Sequence, residues 1–359
     1  MTTEALVLWR LHPRPIEAIS LRLPLSIGRH PASGLRLPED DISRLHAVIE
    51  DRQGQLTLVD QGSRNGAYLH GRRVGVAKLS PGAVVRLGQT VLWLASERTP
   101  RLHLEARLAE EAPRATPLLL TGERGVGKRT IAHRIHQLSG RTGPLLIAAG
   151  APADGLFRVA AGGTVLCELG DDFDVLCRLA SLTEVRLIGT ADRRTTTDKA
   201  AAGVIELRPL RERLDELPDA LEALLRRAKA PTAWNTDFLE ALACHPFPLN
   251  FGELEVVCRD LAGSTAPLGI QHLTHAVRAH VVEARSASAE DLSRERLDDA
   301  LTRHRGNVRR VAQELGVQRG QLYRVLAGFG LNPDLYRGLM SPAVTALPSA
   351  QDDDRRTSP

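Results

Sequence analysis

The chain contains the run Leu118-Leu119-Leu120-Thr121-Gly122-Glu123-Arg124-Gly125-Val126-Gly127-Lys128-Arg129-Thr130. Three apolar residues lead into it, two glycines frame four residues, and a lysine follows directly. Apolar residues then recur at helical spacing over residues 131–138. The pattern predicts a buried strand, a glycine-rich loop and a helix N-terminus, in the order that a phosphate-binding P-loop requires.

The loop has the chemistry to hold a nucleotide. Glycines let backbone N–H groups surround phosphate oxygens, the helix N-terminus favours an anion, and the lysine adds a positive charge. The alternative is a chance match on a glycine-rich turn. We expect ATP or ADP as the cofactor, bound by Gly122, Gly125, Gly127, Lys128, Arg129 and Thr130.

Length and composition favour a multidomain protein. A chain of 359 residues exceeds one core, and a hydrophobic content of 43% suffices for globular domains. No apolar run approaches transmembrane length and no secretory signal opens the chain, so we expect a cytoplasmic protein without a membrane partner. The four cysteines lack metal-ligand spacing, so no metal site is predicted. The net charge of +4 mildly favours nucleic acid.

The first 97 residues alternate between short β-type runs and Gly or Pro turns. This alternation predicts an all-β sandwich over residues 1–97. The presumed turns contain an unusual set of polar residues. They are Ser26-Ile27-Gly28-Arg29, Ser43-Arg44-Leu45-His46, Gly62-Ser63-Arg64-Asn65-Gly66 and His70-Gly71-Arg72-Arg73-Val74.

These motifs resemble the forkhead-associated (FHA) domain over most of residues 20–95. The resemblance implies a phosphothreonine-peptide site, with Gly28 and His46 shaping its loops. An arginine fork, a hydroxyl and a second arginine are also suitable ligands for a dianion. The alternative is an FHA fold that serves only for packing. Carried over, the phosphate would contact Arg29, Ser43 and Arg64, and the peptide backbone would contact Asn65.

The central segment alternates strands with helices and then becomes helical. We predict a linker over 98–114 that contains a short helix, a parallel α/β domain over 115–213 and a helical lid over 214–282. These residues resemble the AAA+ ATPase domain of bacterial enhancer-binding proteins, the activators of sigma-54 RNA polymerase. The matching runs lie at 162–170, 207–213 and 247–255.

The departures from that family concern hydrolysis. Cys167 replaces the Walker B aspartate and leaves Glu168 as the residual catalytic group, and a thiol is a poor ligand for Mg²⁺. Ala191 occupies the polar sensor position, Gly252 that of the lid arginine, and Arg129 that of the metal-binding Ser or Thr. The resemblance therefore implies a degenerate domain that binds a nucleotide without a complete Mg²⁺ site.

Two further absences bear on the activity. Residues 195–204 contain no arginine, and loss of an arginine finger alone can cost about three to five orders of magnitude in rate. The interval 150–161 lacks the Gly-Ala-Phe-Thr-Gly-Ala loop that contacts the sigma factor. We therefore expect a hydrolysis-deficient core that does not remodel the polymerase. The alternative is an active ATP-dependent sigma-54 activator.

Residues 294–338 have helix-turn-helix spacing, after a predicted linker at 283–293 and before a predicted disordered tail at 339–359. Asn307 is placed to cap the second helix, and Gly316 makes the turn. The segment resembles the Fis-type module. The resemblance implies phosphate contacts by Arg309 and Arg310, and major-groove contacts by Gln318, Arg319, Gln321 and Arg324.

Together the segments predict a bacterial transcription regulator. Its expected partners are double-stranded DNA and a phosphothreonine-containing protein, either a Ser/Thr kinase or its substrate. A Fis-type module usually binds a two-fold site, so a homo-oligomer, dimer or higher, is expected. Two alternatives remain for the C-terminal module: a helical dimerisation bundle, and a vestigial DNA module in a signalling scaffold.

Overall fold

The computed structural model describes residues 6–96, 100–148, 154–168, 173–192, 203–279, 281–282, 294–315 and 319–337. The predicted multidomain class is confirmed: a β-sandwich, a parallel α/β sheet with a helical lid, and a C-terminal group of helices. The predicted linker at 283–293, the tail at 339–359, Gly316 and Gln318 lie outside the described residues.

The N-terminal sandwich packs two sheets around one apolar core. The strand orders are β2-β1-β11-β10-β7-β8 and β4-β3-β5-β6-β9, and all pairs are antiparallel except β3 with β4. The strands are β1 (Leu6–His12), β2 (Glu17–Ser20), β3 (Leu25–Gly28), β4 (Leu35–Arg36), β5 (Ala47–Arg52), β6 (Gln55–Asp60), β7 (Ala67–Leu69), β8 (Arg72–Val74), β9 (Val76–Lys78), β10 (Val84–Leu87) and β11 (Thr90–Ser96).

Two segments assigned to turns from the sequence are strands in the structure. Ser26, Ile27 and Gly28 belong to β3, and 72–74 form β8. In β3 the side chain of Ile27 is fully buried in the sandwich core, so its apolar contacts extend the strand up to the glycine. The assignment failed because these strands are only three or four residues long and contain polar residues and a glycine.

The central sheet is parallel, in the order β13-β14-β15-β12-β16. Strand β12 lies between β15 and β16, and the glycine-rich loop leaves its C-terminal end. The strands are β12 (Leu118–Thr121), β13 (Leu145–Ile147), β14 (Thr164–Glu168), β15 (Arg186–Ala191) and β16 (Gly203–Glu206). The helices are α1 (Pro100–Glu111), α2 (Lys128–Leu138), α3 (Asp154–Val159) and α4 (Phe173–Leu182). Helix α1, in the predicted linker, buries Leu108 in the core of this domain.

The lid contains α5 (Leu217–Arg227), α6 (Thr236–Cys244) and α7 (Asn250–Asp260), followed by helical backbone at 275–279. Its apolar core is continuous with one face of the sandwich. Trp93 and Val91 of β11 pack in the same cluster as Phe238 and Leu242 of α6. The lid and the sandwich therefore share one hydrophobic core.

The C-terminal helices are α8 (Arg294–Arg303), α9 (Val308–Glu314) and α10 (Arg319–Gly328). They enclose a small apolar cluster that includes Leu297, Val311 and Leu322. The predicted cap is confirmed, because Asn307 Oδ1 accepts a hydrogen bond from the Arg310 N–H at 3.3 Å. Within the described ranges, every helix is too short or too polar to cross a membrane.

Candidate functional site

The loops at one end of the sandwich bring the predicted phosphopeptide residues together. The Arg29 N–H donates to the Ser43 carbonyl at 2.9 Å, and the Arg64 N–H donates to Ser43 Oγ at 3.0 Å. The Asn65 side-chain amide donates to the Asp41 carbonyl at 2.6 Å. The three loops that follow β3, β4 and β6 are therefore joined by direct hydrogen bonds.

His46 connects two of these loops through hydrogen bonds of its buried ring. Its ring is fully buried, Nδ1 accepts from the Ser43 N–H at 3.2 Å, and Nε2 lies 3.2 Å from the Gly66 carbonyl oxygen. Burial lowers the pKa of His46, with a smaller effect of Arg73 in the same direction and opposing effects of the Gly66 bond and nearby carboxylates. The neutral ring with its proton on Nε2 satisfies both contacts.

Close approach explains Gly28. A Cβ at this position would stand 2.2 Å from the Arg44 carbonyl oxygen, so any side chain would push apart the two loops that present Arg29 and Ser43. The sequence motif thus encodes a backbone contact that is needed for the site to assemble.

Sequence reasoning missed the residues that hold the β6–β7 loop. The Asp60 carboxylate accepts from both the N–H and the hydroxyl of Ser63, and Ser63 Oγ accepts from the Gly66 N–H at 2.9 Å. Such short-range side-chain bonds replace a regular turn and fix the backbone of Arg64 and Asn65. The available signal in the sequence was a serine three residues after an aspartate, in the run Asp60-Gln61-Gly62-Ser63.

The glycine-rich loop between β12 and α2 has the expected backbone. Gly122, Gly125 and Gly127 all have positive φ, at 142°, 73° and 101°. Lys128 Nζ donates to the carbonyls of Gly122 at 2.5 Å and Glu123 at 3.2 Å, and pairs with Asp192 Oδ1 at 2.8 Å. The P-loop lysine therefore has a carboxylate partner within the chain that the sequence analysis did not identify.

The lid packs directly onto this loop. The Phe251 N–H donates to the Gly125 carbonyl at 3.1 Å, and a Cβ at Gly125 would stand 2.0 Å from the Leu249 carbonyl oxygen. Gly252, at the predicted lid-arginine position, has no neighbour closer to its Cβ direction than the Gly125 Cα at 3.8 Å. Without an arginine side chain there, the lid backbone approaches the loop closely.

A charged contact reinforces the packing of the lid on the glycine-rich loop. Arg211 donates two hydrogen bonds to Glu123, at 2.6 and 3.0 Å, and the Asn250 amide donates a third at 3.1 Å. The Arg211 and Asn250 bonds lower the pKa of Glu123 to about 2. Asn250 also accepts from the Leu210 N–H at 2.7 Å, which connects the lid to the segment after β16.

The cradle fits a phosphate better than it fits a magnesium ion. Arg129 and Thr130 are exposed at the first turn of α2, where cationic and hydroxyl groups suit an anion. Cys167 is buried among apolar side chains, and burial raises the pKa of its thiol to about 11. Glu168 is exposed at the end of β14. A neutral, buried thiol is no Mg²⁺ ligand, so the metal does not fit at the Walker B aspartate position.

Five of the six predicted DNA residues belong to two helices. Arg309 and Arg310 lie in the first turn of α9, and Arg319 begins α10 with its guanidinium 5.7 Å from the Tyr323 ring centroid. Arg309 Nη2 donates to the Gly62 carbonyl of the sandwich at 2.7 Å. Gln321 and Arg324 belong to α10, but their side chains, like the whole of Gln318, lie outside the description.

Comparison with known families gives three matches along the chain. Residues 25–88 match the FHA domain, residues 95–154 match the sigma-54 interaction domain, and residues 288–327 match the bacterial regulatory proteins of the Fis family. The matches occur in the order that the motifs indicated.

Curated proteins are similar over the same regions. The hydrogenase transcriptional regulatory protein HoxA of Cupriavidus necator is 28% identical over 292 residues, which are 60% of this chain and 61% of HoxA. The glycogen accumulation regulator GarA of Mycolicibacterium smegmatis is 39% identical over 64 residues, 18% of this chain and 40% of GarA. The chain thus spans less than two thirds of the length of these relatives.

Solved structures show weaker overall similarity. A crystal structure of NtrX from Brucella abortus in complex with ATP covers 64% of this chain and 67% of that chain, at 18% identity and a TM-score of 0.42. A structure from work on phosphothreonine-dependent FHA domain interactions covers 26% of this chain and 96% of that chain, at 26% identity and a TM-score of 0.24. From the family matches, the chain contains an FHA domain, a sigma-54 interaction domain and a Fis-family helix-turn-helix.

Proposed function

We propose that this chain is a transcription regulator that binds a phosphothreonine protein through its FHA domain and specific double-stranded DNA through its helix-turn-helix. Its central domain binds ATP or ADP but is deficient in hydrolysis. The observation that supports this most is the joining of Arg29, Ser43, Arg64 and Asn65 across three separate loops.

Charge and hydrogen bonding support phosphopeptide binding. Arg29 and Arg64 are exposed, and the backbone N–H of each donates a hydrogen bond to Ser43, so both arginines stand on loops next to the Ser43 side chain. From there their guanidinium groups would reach a dianionic phosphate. Charge-assisted bonds from arginine are among the strongest available to a phosphate. The partner is a Ser/Thr kinase or a substrate of one.

The C-terminal helices support the proposed binding of DNA. Arg309 and Arg310 lie at the start of α9 and Arg319 at the start of α10. In our proposal Arg309 and Arg310 contact DNA phosphates, and Gln318, Arg319, Gln321 and Arg324 contact bases in the major groove. Similar proteins such as HoxA are named transcriptional regulators. A two-fold DNA site would require a homo-oligomer.

Deficient hydrolysis is inferred from two positions in the parallel sheet and one in the lid. The groups that would stabilise a phosphoryl-transfer transition state are replaced by a buried thiol at 167, a methyl group at 191 and a glycine at 252. Lys128 and the loop backbone remain to bind phosphates. A nucleotide would replace the Asp192 carboxylate as partner of Lys128, so its binding would favour opening of that ion pair.

Peptide binding by the full chain tests the first half of the proposal. A phosphothreonine peptide should bind, and its unphosphorylated form should not. Arg29→Ala should lower the affinity by roughly tenfold or more. Arg52→Ala is the matched control, since Arg52 pairs with Glu50 at the opposite end of the sandwich. Equal affinity for both forms of the peptide would reject phosphothreonine recognition.

Selection from random duplex DNA tests the second half. The full chain should enrich a defined sequence, and Arg319→Ala should reduce that enrichment. A protein without preference for any duplex would instead support the scaffold alternative.

The sigma-54 interaction match supports one rival function, an ATP-driven sigma-54 activator. Calorimetry with ATP and ADP, with and without Mg²⁺, followed by a turnover assay on the same sample, separates the two. Binding without turnover supports our proposal. Mg²⁺-dependent turnover that rises with protein concentration and disappears in Lys128→Ala would support the rival.

A further inference from the structure

Helix α9 docks on the FHA domain beside the phosphopeptide loops. Arg309 Nη2 donates to the Gly62 carbonyl at 2.7 Å, and Gln313 Nε2 donates to the Asp60 carbonyl at 2.9 Å. The backbones also come close, because a Cβ at Gly75 would stand 2.4 Å from the Gln313 carbonyl oxygen. The contact therefore uses the β6–β7 loop, which also presents Arg64 and Asn65.

A cleft of ≈ 520 Å³ remains between the two domains. Arginines line both of its walls: Arg64 and Arg73 come from the sandwich, and Arg309 and Arg319 come from the helix-turn-helix. The carboxylate in the lining is Asp60, whose two oxygens accept hydrogen bonds from Ser63. The lining thus has a net positive charge, with guanidinium groups supplied by both domains.

We propose that this cleft binds acidic residues that flank the phosphothreonine of the partner. The proposal rests on the proposed phosphothreonine function and extends it, because it makes the helix-turn-helix part of the peptide site. Arg64 and Asn65 belong both to the phosphate-binding loops and to the cleft lining, so a peptide held at the loops continues into the cleft.

Acidic residues are the ligand that this lining selects. Four like charges around one space repel each other, and carboxylates remove that repulsion while accepting charge-assisted hydrogen bonds. The volume lies within the range typical of ligand pockets. A neutral flanking sequence would gain the contacts of the FHA loops but not those of Arg309 and Arg319.

One consequence concerns DNA. Arg309 and Arg319 belong to the proposed DNA-binding set, and they cannot bind peptide carboxylates and DNA phosphates at the same time. An acidic phosphopeptide therefore holds the helix-turn-helix against the FHA domain and lowers its affinity for DNA. By linkage, DNA lowers the affinity for the acidic peptide by the same factor.

The test uses two phosphothreonine peptides and the full chain. One peptide has three aspartates on each side of the phosphothreonine, and the other has asparagines at the same positions. Titration should show that the aspartate peptide binds roughly tenfold more tightly at low salt. Arg319→Ala should remove most of that preference, although Arg319 lies outside the FHA domain.

A second variant leaves every charge in place. Gly75→Ala adds a methyl group that collides with the backbone of α9, so it should separate the two domains and also remove the aspartate preference. It should keep the affinity for the asparagine peptide. Gly155→Ala is the matched control, because a Cβ at that helical glycine meets no atom within 4 Å.

The outcomes separate the two proposals. If the phosphorylated peptides bind equally well, or if the aspartate preference survives both Arg319→Ala and Gly75→Ala, the shared cleft is rejected while phosphothreonine binding stands. If neither peptide binds, the phosphothreonine function fails and the cleft proposal falls with it. Loss of the preference in both variants, with the control unchanged, supports the shared site.

Discussion

The side-chain nitrogen of Lys128 lies 2.8 Å from a carboxylate oxygen of Asp192. This lysine is the charge that a P-loop offers to phosphate, and the aspartate directly follows the predicted sensor position at Ala191. The ion pair connects the P-loop to the segment that follows β15, and a phosphate would compete with this carboxylate for the same ammonium group.

We expect Asp192→Asn to raise the affinity for ATP and ADP by roughly three- to tenfold, because the competing charge is removed while the side-chain size is kept. Asp192 is largely exposed, so solvent screening limits the gain. Isothermal titration calorimetry is the measurement. Asp260→Asn, at the exposed end of α7, should leave the affinity unchanged. Weaker binding by Asp192→Asn would show that the carboxylate supports the nucleotide.

Restoring the Walker B aspartate should not restore hydrolysis. In Cys167→Asp the new carboxyl group would enter an apolar cluster with Phe157 and Leu187, so the variant should lose about 3 kcal/mol or more of unfolding free energy. Urea denaturation measures that loss, with Cys167→Ala as the milder control. Recovery of Mg²⁺-dependent ATP turnover in Cys167→Asp would contradict the expectation.

The sandwich should become less stable as the pH falls below about 6.5, the ordinary pKa of histidine. Burial lowers the pKa of His46 in the folded state, so between the two pKa values the unfolded chain binds more protons and stability rises with pH. Above the unfolded pKa the effect is complete. Urea midpoints of wild type and His46→Gln, followed from pH 5 to 8, measure it. His12 and His70 also have lowered pKa values, so the difference between the two proteins is the relevant quantity.

An ion pair joins the sandwich to the lid. Arg86 Nε lies 2.8 Å from Glu240 Oε2, Glu240 is fully buried, and the guanidinium also lies 3.7 Å from the Tyr68 ring centroid. Arg86→Ala should cost about 3–5 kcal/mol, because it leaves a buried carboxylate without this charge partner. Urea unfolding is the readout, and Arg52→Ala should stay within about 0.5 kcal/mol of wild type. A small effect for Arg86→Ala would mean that other groups or water compensate the Glu240 carboxylate.

Local sequence patterns were sufficient to predict the elements whose defining residues are close together in the chain. The glycine spacing of the P-loop demanded a strand before it and a helix after it, and the Ser-Arg-x-His run predicted loops that the structure joins through Ser43 and His46. Asn307 could be assigned as a cap because capping depends on residues within one turn.

Contacts between distant parts of the chain could not be predicted in this way. Lys128 and Asp192 are separated by 64 positions, and Arg309 and Gly62 by 247. Each contact depends on how whole domains pack, which hydrophobic periodicity does not specify. Short strands such as β4 were missed for a different reason, since two residues are too few to show an alternation.

The apolar core shared by the FHA sandwich and the lid has a mechanical consequence. Trp93 and Phe238 lie in one continuous cluster, so the two units cannot turn independently without exposing it to water. If the chain bends at the junction between the lid and the parallel sheet, the lid and the sandwich would move together as one rigid body, and the phosphopeptide loops would move with them. Nucleotide binding at the P-loop would then displace the loops that contain Arg29, Ser43 and Arg64.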